Sequence, residues 1–469
     1  MRIATLVFAL FVFRSAAWAQ APVTLTIDMQ ARGAEVPADF LGLSFEMSNL
    51  LPGAGGQHLF SEENKELIGW FRTLGIRSLR VGGGTADTPR YAIPGEGDTD
   101  RLFAFAAAAD VKVIYTLRLP GADAERNAQI AKYIEQHYGR QMTCFEIGNE
   151  PDFYRRVYRD IQEYRTYKPL WTKIADAVTK VAPEAKFCGP AAGGTTSWSR
   201  SFAADFGKSG RIAAVVEHDY PGGDGNKTNG PTAREDMMSR AWMEHYDQLY
   251  QSFALGARAQ GLAFRLEETN NFTGGAKDAT DTFTASLWAL DYLHWWASRG
   301  AAGLNFHNRR WILNTTIYPV DPEYDGVKSG YDVHPIAYGI KAFDMGGHGA
   351  ELPVAIANPE AVNLTAYAVR QGGELFVTVI NKKDPGDRTH EINATIAAGA
   401  GFRSAMVLRL EAEAGLEAKN GITLGGAGLS HGAWDGKWTP LGVDRAGRCV
   451  VKVAGTSAAV VRLSGNPGF

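Results

Sequence analysis

The chain has 469 residues, 45% hydrophobic and 21% charged, with a formal net charge of −3 and a pI near 6.4. That length is enough for one large core and a smaller second one. No basic excess and no run of like charge marks a nucleic-acid face, and no stretch is long and apolar enough to span a bilayer.

The N-terminus opens with Met1-Arg2, an apolar run from Ile3 to Phe13, and Ala17-Trp18-Ala19. This order of positive start, short apolar run and small-x-small site reads as a signal peptide, residues 1–19, cleaved after Ala19. The mature protein is expected to be exported to the periplasm or the extracellular space.

Residues 20–36 hold one alternating strand, Val23 to Met29, which fits no strand–helix pair and is expected to join a sheet farther along the chain. From 37 to 345 strands and helices alternate. Strands are predicted at Phe40–Glu46, Ser78–Val81, Val111–Leu117, Thr143–Ile147, Lys186–Gly189, Ala213–Glu217, Gly261–Leu266 and Gly303–Phe306. Helical spacing is predicted over Ser61–Leu74, Asp100–Ala109, Ala124–His137, Gln162–Val181, Ser197–Phe206, one long helix at Ala233–Ala257, and Thr280–Ser298. Eight such units imply an α/β fold, a closed (β/α)8 barrel.

From 346 to 469 the pattern changes to short strands separated by Gly, Asp and Asn: Val362–Val369, Glu374–Asn381, Thr389–Ile396, Ala405–Glu411 and Cys449–Leu463. An antiparallel β-sandwich is expected there. Cys144, Cys188 and Cys449 have no metal spacing and read as small buried hydrophobes. A Cys144–Cys188 bond is geometrically conceivable, because the two fall in adjacent predicted strands.

Carboxylates gather at strand ends: Glu46 after the first strand, Glu150 after the fourth within Cys144-Phe145-Glu146-Ile147-Gly148-Asn149-Glu150-Pro151, and Glu267-Glu268 after the seventh. The C-terminal ends of barrel strands are where such barrels keep their chemistry. Two carboxylates there, one an acid and one a nucleophile, are what glycosidic cleavage requires. Because strand side chains alternate, Glu267 and Glu268 are not expected to share one face; position alone does not choose between them. Arg80 either holds the nucleophile ionised or pairs with Glu146 inside the barrel.

His218 and Tyr220 alternate onto one face at the end of the sixth strand, and the eighth ends in Asn305-Phe306-His307-Asn308-Arg309-Arg310-Trp311, whose arginines suit an anionic group. No metal or cofactor is expected: His218 and His307 lack ligand spacing, and Gly82-Gly83-Gly84 is neither a dinucleotide nor a P-loop fingerprint. That glycine run reads as a tight turn or a close backbone approach to ligand.

Together the segments Phe145 to Pro151, Leu266-Glu267-Glu268-Thr269-Asn270-Asn271, Phe40 to Glu46 and Ser78 to Gly83 resemble glycoside hydrolase family 79, the heparanase and β-glucuronidase family of retaining barrel glycosidases. The resemblance implies Glu150 as acid/base, Glu268 as nucleophile, Asn149 on the sugar 2-hydroxyl and Glu46 on sugar hydroxyls. His218, Tyr220, His307, Arg80, Arg309 and Tyr318 complete the expected substrate-binding set, with Tyr318 matched to a carboxylate-binding tyrosine. Thr273 stands where family members often carry Tyr, and Asn308-Arg309-Arg310-Trp311 replaces a Gly-rich segment. A retaining exo-β-glucuronidase is expected, with Arg309 or Arg310 clamping the acid; its partner is a glycan or glycoside, with no nucleic acid, no membrane span and no obligate protein partner. The alternatives are a barrel glycosidase for a neutral sugar, such as a β-glucosidase or β-xylosidase, and a non-catalytic carbohydrate-binding protein.

Overall fold

A computed structural model describes residues 22–53, 55–156, 158, 160–320, 330–382 and 391–465. The expected signal peptide, 1–19, lies outside them. No helix among the described residues is long and apolar enough to cross a membrane.

Strand β1 is Val23–Ile27. Eight parallel strands then close into a barrel in chain order: β2 Leu41–Glu46, β3 Ser78–Gly82, β4 Lys112–Leu117, β5 Met142–Ile147, β6 Phe187–Ala192, β7 Ile212–Asp219, β8 Ala263–Thr269 and β9 Leu304–Asn308. Closure follows from alternation. Leu43, Phe45, Leu79, Val81, Phe145 and Phe306 face the surrounding helices and join the main core. The other set turns inward: near the floor an apolar group (Ile114, Cys144, Cys188, Ala214, Val216) lies beside the buried Arg265–Asn305 pair, and above them stand Arg80, Glu146 and Glu267. Helices fill the crossovers, several with side-chain caps: Asn64 accepts from Leu67 N at 3.3 Å and Asp123 from Arg126 N at 3.0 Å.

Several expectations change. The first helix begins at Lys65 rather than Ser61, because Asn64 takes the capping position. The long helix over 233–257 is broken at Ser239, whose extended backbone (ψ 155°) ends Gly230–Met238 while its hydroxyl caps Arg240–Leu249. The continuous helical spacing concealed that Ser, a residue that competes for backbone groups. Cys144 and Cys188 are disulfide-bonded across the β5–β6 pair with Cα atoms 5.8 Å apart, and Cys449 is a buried thiol, so two of the three are not simple hydrophobes.

The remainder forms two sheets. One runs Val354–Ala357, β1, Ile392–Ala397, Arg448–Val453, with β1 parallel to Ile392–Ala397 and the other pairs antiparallel. The other is antiparallel and centres on Glu374–Asn381, Ser457–Gly465 and Phe402–Ala412. The strand expected over Cys449–Leu463 is two strands in different sheets, separated at Thr456, whose φ is +55°. The strand expected at Thr389–Ile396 starts outside the described residues and is seen as Ile392–Ala397.

Helix Phe283–Ser298 is buried on nearly every side because barrel and sandwich both pack on it. Its buried Asp291 is held from the sandwich by Lys382 Nζ at 2.8 Å and by the hydroxyls of Thr365 and Tyr367, each at 2.7 Å. The Tyr367 ring stacks on His294 at 4.9 Å.

Replacing Lys382 with Met leaves a buried carboxylate without its cation and should cost about 3–5 kcal/mol in denaturant unfolding; an unchanged midpoint would show that the two hydroxyls suffice. Thiol titration of the denatured chain should give one thiol without reductant and three with it. The double change Cys144→Ala, Cys188→Ala should lower stability by about 2–4 kcal/mol.

Candidate active site

The C-terminal mouth of the barrel is organised by Arg80, which is fully buried. Its five donors are all used. Nε and Nη2 bond the two Glu146 oxygens at 3.0 and 2.7 Å, and Nη2 also reaches Asn149 Oδ1 at 2.8 Å. Nη1 reaches Ser44 Oγ at 3.2 Å and Glu268 Oε2 at 2.5 Å. Arg80 thus pairs with Glu146 and also reaches Glu268, because a guanidinium fork serves two carboxylates where an ammonium would not.

Glu268 receives Tyr220 OH at 2.9 Å on Oε1, and His307 Nδ1 lies 3.6 Å from Oε2. Burial by itself favours its neutral form. The charges of His307, His218 and Arg80, with the Tyr220 hydroxyl, outweigh burial and hold the carboxyl well below the ordinary carboxylate range.

Strict alternation fails at Glu267-Glu268. The β7–β8 register shifts there: Glu217 pairs with Leu266 and His218 with Glu268, so Glu267 is the extra residue of a bulge. Both side chains consequently enter the barrel. Glu268 sits in the cleft, while Glu267 is fully buried beside Glu146 and the far side of His218.

Glu150 follows Asn149 in the turn after β5. Its φ is +50°, uncommon for a residue with a Cβ, and its amide bonds Ala191 O at 2.9 Å. Pro151 then prevents continuation of the strand. His218 Nδ1 lies 3.0 Å from Glu150 Oε1. Carboxylate oxygens of Glu150 and Glu268 lie within 4.8 Å of each other, with a His218 nitrogen within the same distance of both. Asn149 turns Oδ1 to Arg80 at 2.8 Å.

Glu46 accepts from Thr85 N at 2.9 Å, and His307 Nε2 is 3.8 Å away. Gly82 and Gly83 make room for buried side chains, while Gly84 has open space beside it. A Cβ on Gly83, where φ is +66°, would stand 2.6 Å from the Glu46 carboxylate, and one on Gly82 would stand 2.8 Å from Arg80 Cζ. Arg309 is largely exposed, with Nε 4.0 Å from Glu46 Oε1. Arg310 lies 6.0 Å over the Tyr318 ring, and Tyr318 OH accepts from Asn49 Nδ2 at 2.6 Å. Thr273 pairs with the Asp224 segment after β7.

Sequence reasoning missed Asp87 and Ser44, and it named Glu267 without placing it inside the barrel beside Glu268. Asp87 accepts from Asn149 N at 2.6 Å and Leu119 N at 2.9 Å, and also from the Tyr154 hydroxyl; burial pushes its carboxyl up to about 7. Ser44 links Arg80 to His307. Glu267 is hidden by the alternation rule. Only Ser44 left a signal, as a polar residue in an inward position of a strand. Two carboxylate–histidine groups come close enough for chelation, Glu146–His218–Glu267 and Glu150–His218–Glu268. A metal ion suits neither: Arg80 already supplies the positive charge to Glu146 and Glu268.

No family model matches the chain. A β-glucuronidase from Aspergillus niger is 25% identical over 193 residues, covering 36% of this chain and 35% of that protein. The chain thus aligns with about a third of that relative's length. Solved structures match over nearly the whole fold. A 4-O-α-L-rhamnosyl-β-D-glucuronidase from Fusarium oxysporum 12S has a TM-score of 0.71 at 16% identity, covering 93% of this chain and 99% of that one. A GH51 arabinofuranosidase from Xanthomonas axonopodis pv. citri gives 0.67 at 13%, covering 94% and 100%. A β-xylosidase from Caulobacter crescentus CB15 gives 0.59 at 14%, covering 96% and 100%. The fold is that of these barrel glycosidases: a closed parallel barrel with accessory β-sheets.

Arg80→Lys should lower turnover at least about a hundredfold, because one ammonium does not hold Glu268, Asn149 and Glu146 in place together. Steady-state kinetics on the substrate found for the wild type check this, and near-normal turnover would refute the positioning role.

Proposed function

We propose that the protein is a retaining β-glycosidase and, more narrowly, an exported exo-β-glucuronidase. The observation that carries the reading is the close approach of Glu150 and Glu268, within 4.8 Å oxygen to oxygen, in two different electrostatic settings. Retaining pairs stand about 5–5.5 Å apart and inverting pairs about 6.5–9.5 Å.

Glu268, held ionised by Arg80, His307 and Tyr220, attacks the anomeric carbon while Glu150 gives its proton to the glycosidic oxygen. The C–O bond breaks, the aglycone leaves as an alcohol, and an ester joins the sugar to Glu268. Glu150, now a carboxylate, takes a proton from water as the water oxygen attacks the same carbon, and Glu268 leaves as carboxylate. In this reading Asn149 bonds the 2-hydroxyl and Glu46 other hydroxyls, as the family resemblance implies. Glucuronate is the favoured glycone, supported by the partial match to a β-glucuronidase and by Arg309 and Arg310 beside Glu46 and Tyr318. A disulfide inside the barrel accords with an oxidising compartment after export.

Thr273 favours a second reading, a neutral sugar, and two of the structural neighbours are an arabinofuranosidase and a β-xylosidase. Rates on aryl β-D-glucuronide and aryl β-D-glucoside separate the two. Glucuronide turnover is expected, with Glu268→Gln reducing it at least about ten-thousandfold. Glu150→Gln should spare nitrophenyl leaving groups more than alkyl ones, which need the proton more. Glucoside turnover alone would overturn the glycone; no turnover on any aryl glycoside would favour a carbohydrate-binding protein.

A further inference from the structure

The mechanism leaves the buried carboxyl group of Glu267 unused. Glu267 is fully buried, and neither of its oxygens has a hydrogen-bond partner. The nearest positive group is the His218 ring: Nε2 lies 3.8 Å from Glu267 Oε1, an ion-pair rather than a hydrogen-bond distance, and Nε2 is itself unbonded. Arg80 is spent on Glu146, Glu268, Asn149 and Ser44.

The other ring nitrogen fixes the logic. Nδ1 faces Glu150 Oε1 at 3.0 Å, and it serves the proton donor only if it carries a hydrogen. Donation to Oε1 leaves the acidic proton of Glu150 on Oε2. With Nδ1 protonated, a neutral ring would turn a bare Nε2 lone pair toward a buried carboxylate, which is repulsive. A second proton on Nε2 removes the repulsion and neutralises Glu267.

Resting on the reading that Glu150 is the acid/base, we propose that Glu267 is a positioning residue: its buried carboxylate keeps His218 doubly protonated, and His218 in turn orients Glu150 and sets when it gives up its proton. Glu267 touches no substrate. It acts from the floor of the cleft, where the β8 bulge has placed it. The groups facing His218 are Glu150 and Glu146 from β5 and its turn, Glu267 and Glu268 from β8, Arg80 from β3, and Glu217 of its own strand. Burial opposes the imidazolium, and Glu268, Glu150 and Glu267 overcome it, so the ring is held charged well above the ordinary histidine range.

The test is Glu267→Gln, which keeps the shape and removes the charge. In the wild type, 15N spectra should show both His218 nitrogens protonated throughout about pH 5 to 8; in the variant the ring should titrate within that window. A neutral ring stabilises the Glu150 and Glu268 carboxylates less. Loss of the Glu267 charge acts the other way, but from behind the ring, so the loss of the nearer imidazolium prevails. Both limbs of kcat/KM against pH should therefore move up by about one unit, while Glu267→Asp restores them part of the way. A neutral His218 in the wild type, or limbs that stay in place in the variant, would overturn the proposal. If Glu267→Gln does not fold, the wild-type spectra decide. If no glycoside is turned over, the reading of Glu150 fails, while the spectra still test the Glu267–His218 pair.

Discussion

The site is built around one guanidinium that no water can reach. Arg80 ties β2 through Ser44, the end of β5 through Glu146 and Asn149, and β8 through Glu268. A buried charge is tolerated when every donor finds an acceptor, and Arg80 meets that condition with five. The same bonds that satisfy it place the two functional segments opposite each other. The catalytic geometry and the cost of burying charge are thus met by one set of contacts.

The upper barrel is a stack of coupled polar groups above a floor that is apolar on one side and holds the buried Arg265–Asn305 pair on the other. The disulfide and its aliphatic neighbours close the bottom. Above them lie Glu146, Glu267 and Arg80, and above those Glu150, Glu268, His218 and His307 at the mouth. In such a stack the ionisation of each group depends on the layer beneath. Nearly identical side chains therefore sit in different surroundings: Glu268 meets Arg80, His307 and the Tyr220 hydroxyl, whereas Glu150 is partly open to solvent and meets one histidine. Small residues permit the stacking. Gly83 lets the Glu46 carboxylate close on the turn, and Gly193 lies against Glu150. The sandwich contributes at a distance, by gripping the all-buried helix Phe283–Ser298 behind β8 and β9 through Asp291.

The barrel was legible because its signal is local and repeated. Each strand is an apolar run ended by Gly, Pro or a polar cluster, and each helix has its own period and, often, a cap. The Asn149-Glu150-Pro151 turn was legible for the same reason, since Pro151 must end the strand. The errors came where one residue overrode a period. Ser239 broke a helix whose hydrophobic spacing continued across it, and Thr456 divided what reads as one strand.

What the sequence by itself determined is the order of elements, the closed barrel they imply, and which carboxylates stand at strand ends. Those follow from periodicity and from single residues acting on their neighbours. Tertiary structure alone decided that Glu267 and Glu268 both face inward, that Arg80 serves two carboxylates, that Cys144 meets Cys188, and that Asp87 anchors the Asn149 amide. Each of these depends on register between strands distant in sequence. A shift of one residue between β7 and β8 exchanges which side chains reach the cleft, and no local pattern records that shift.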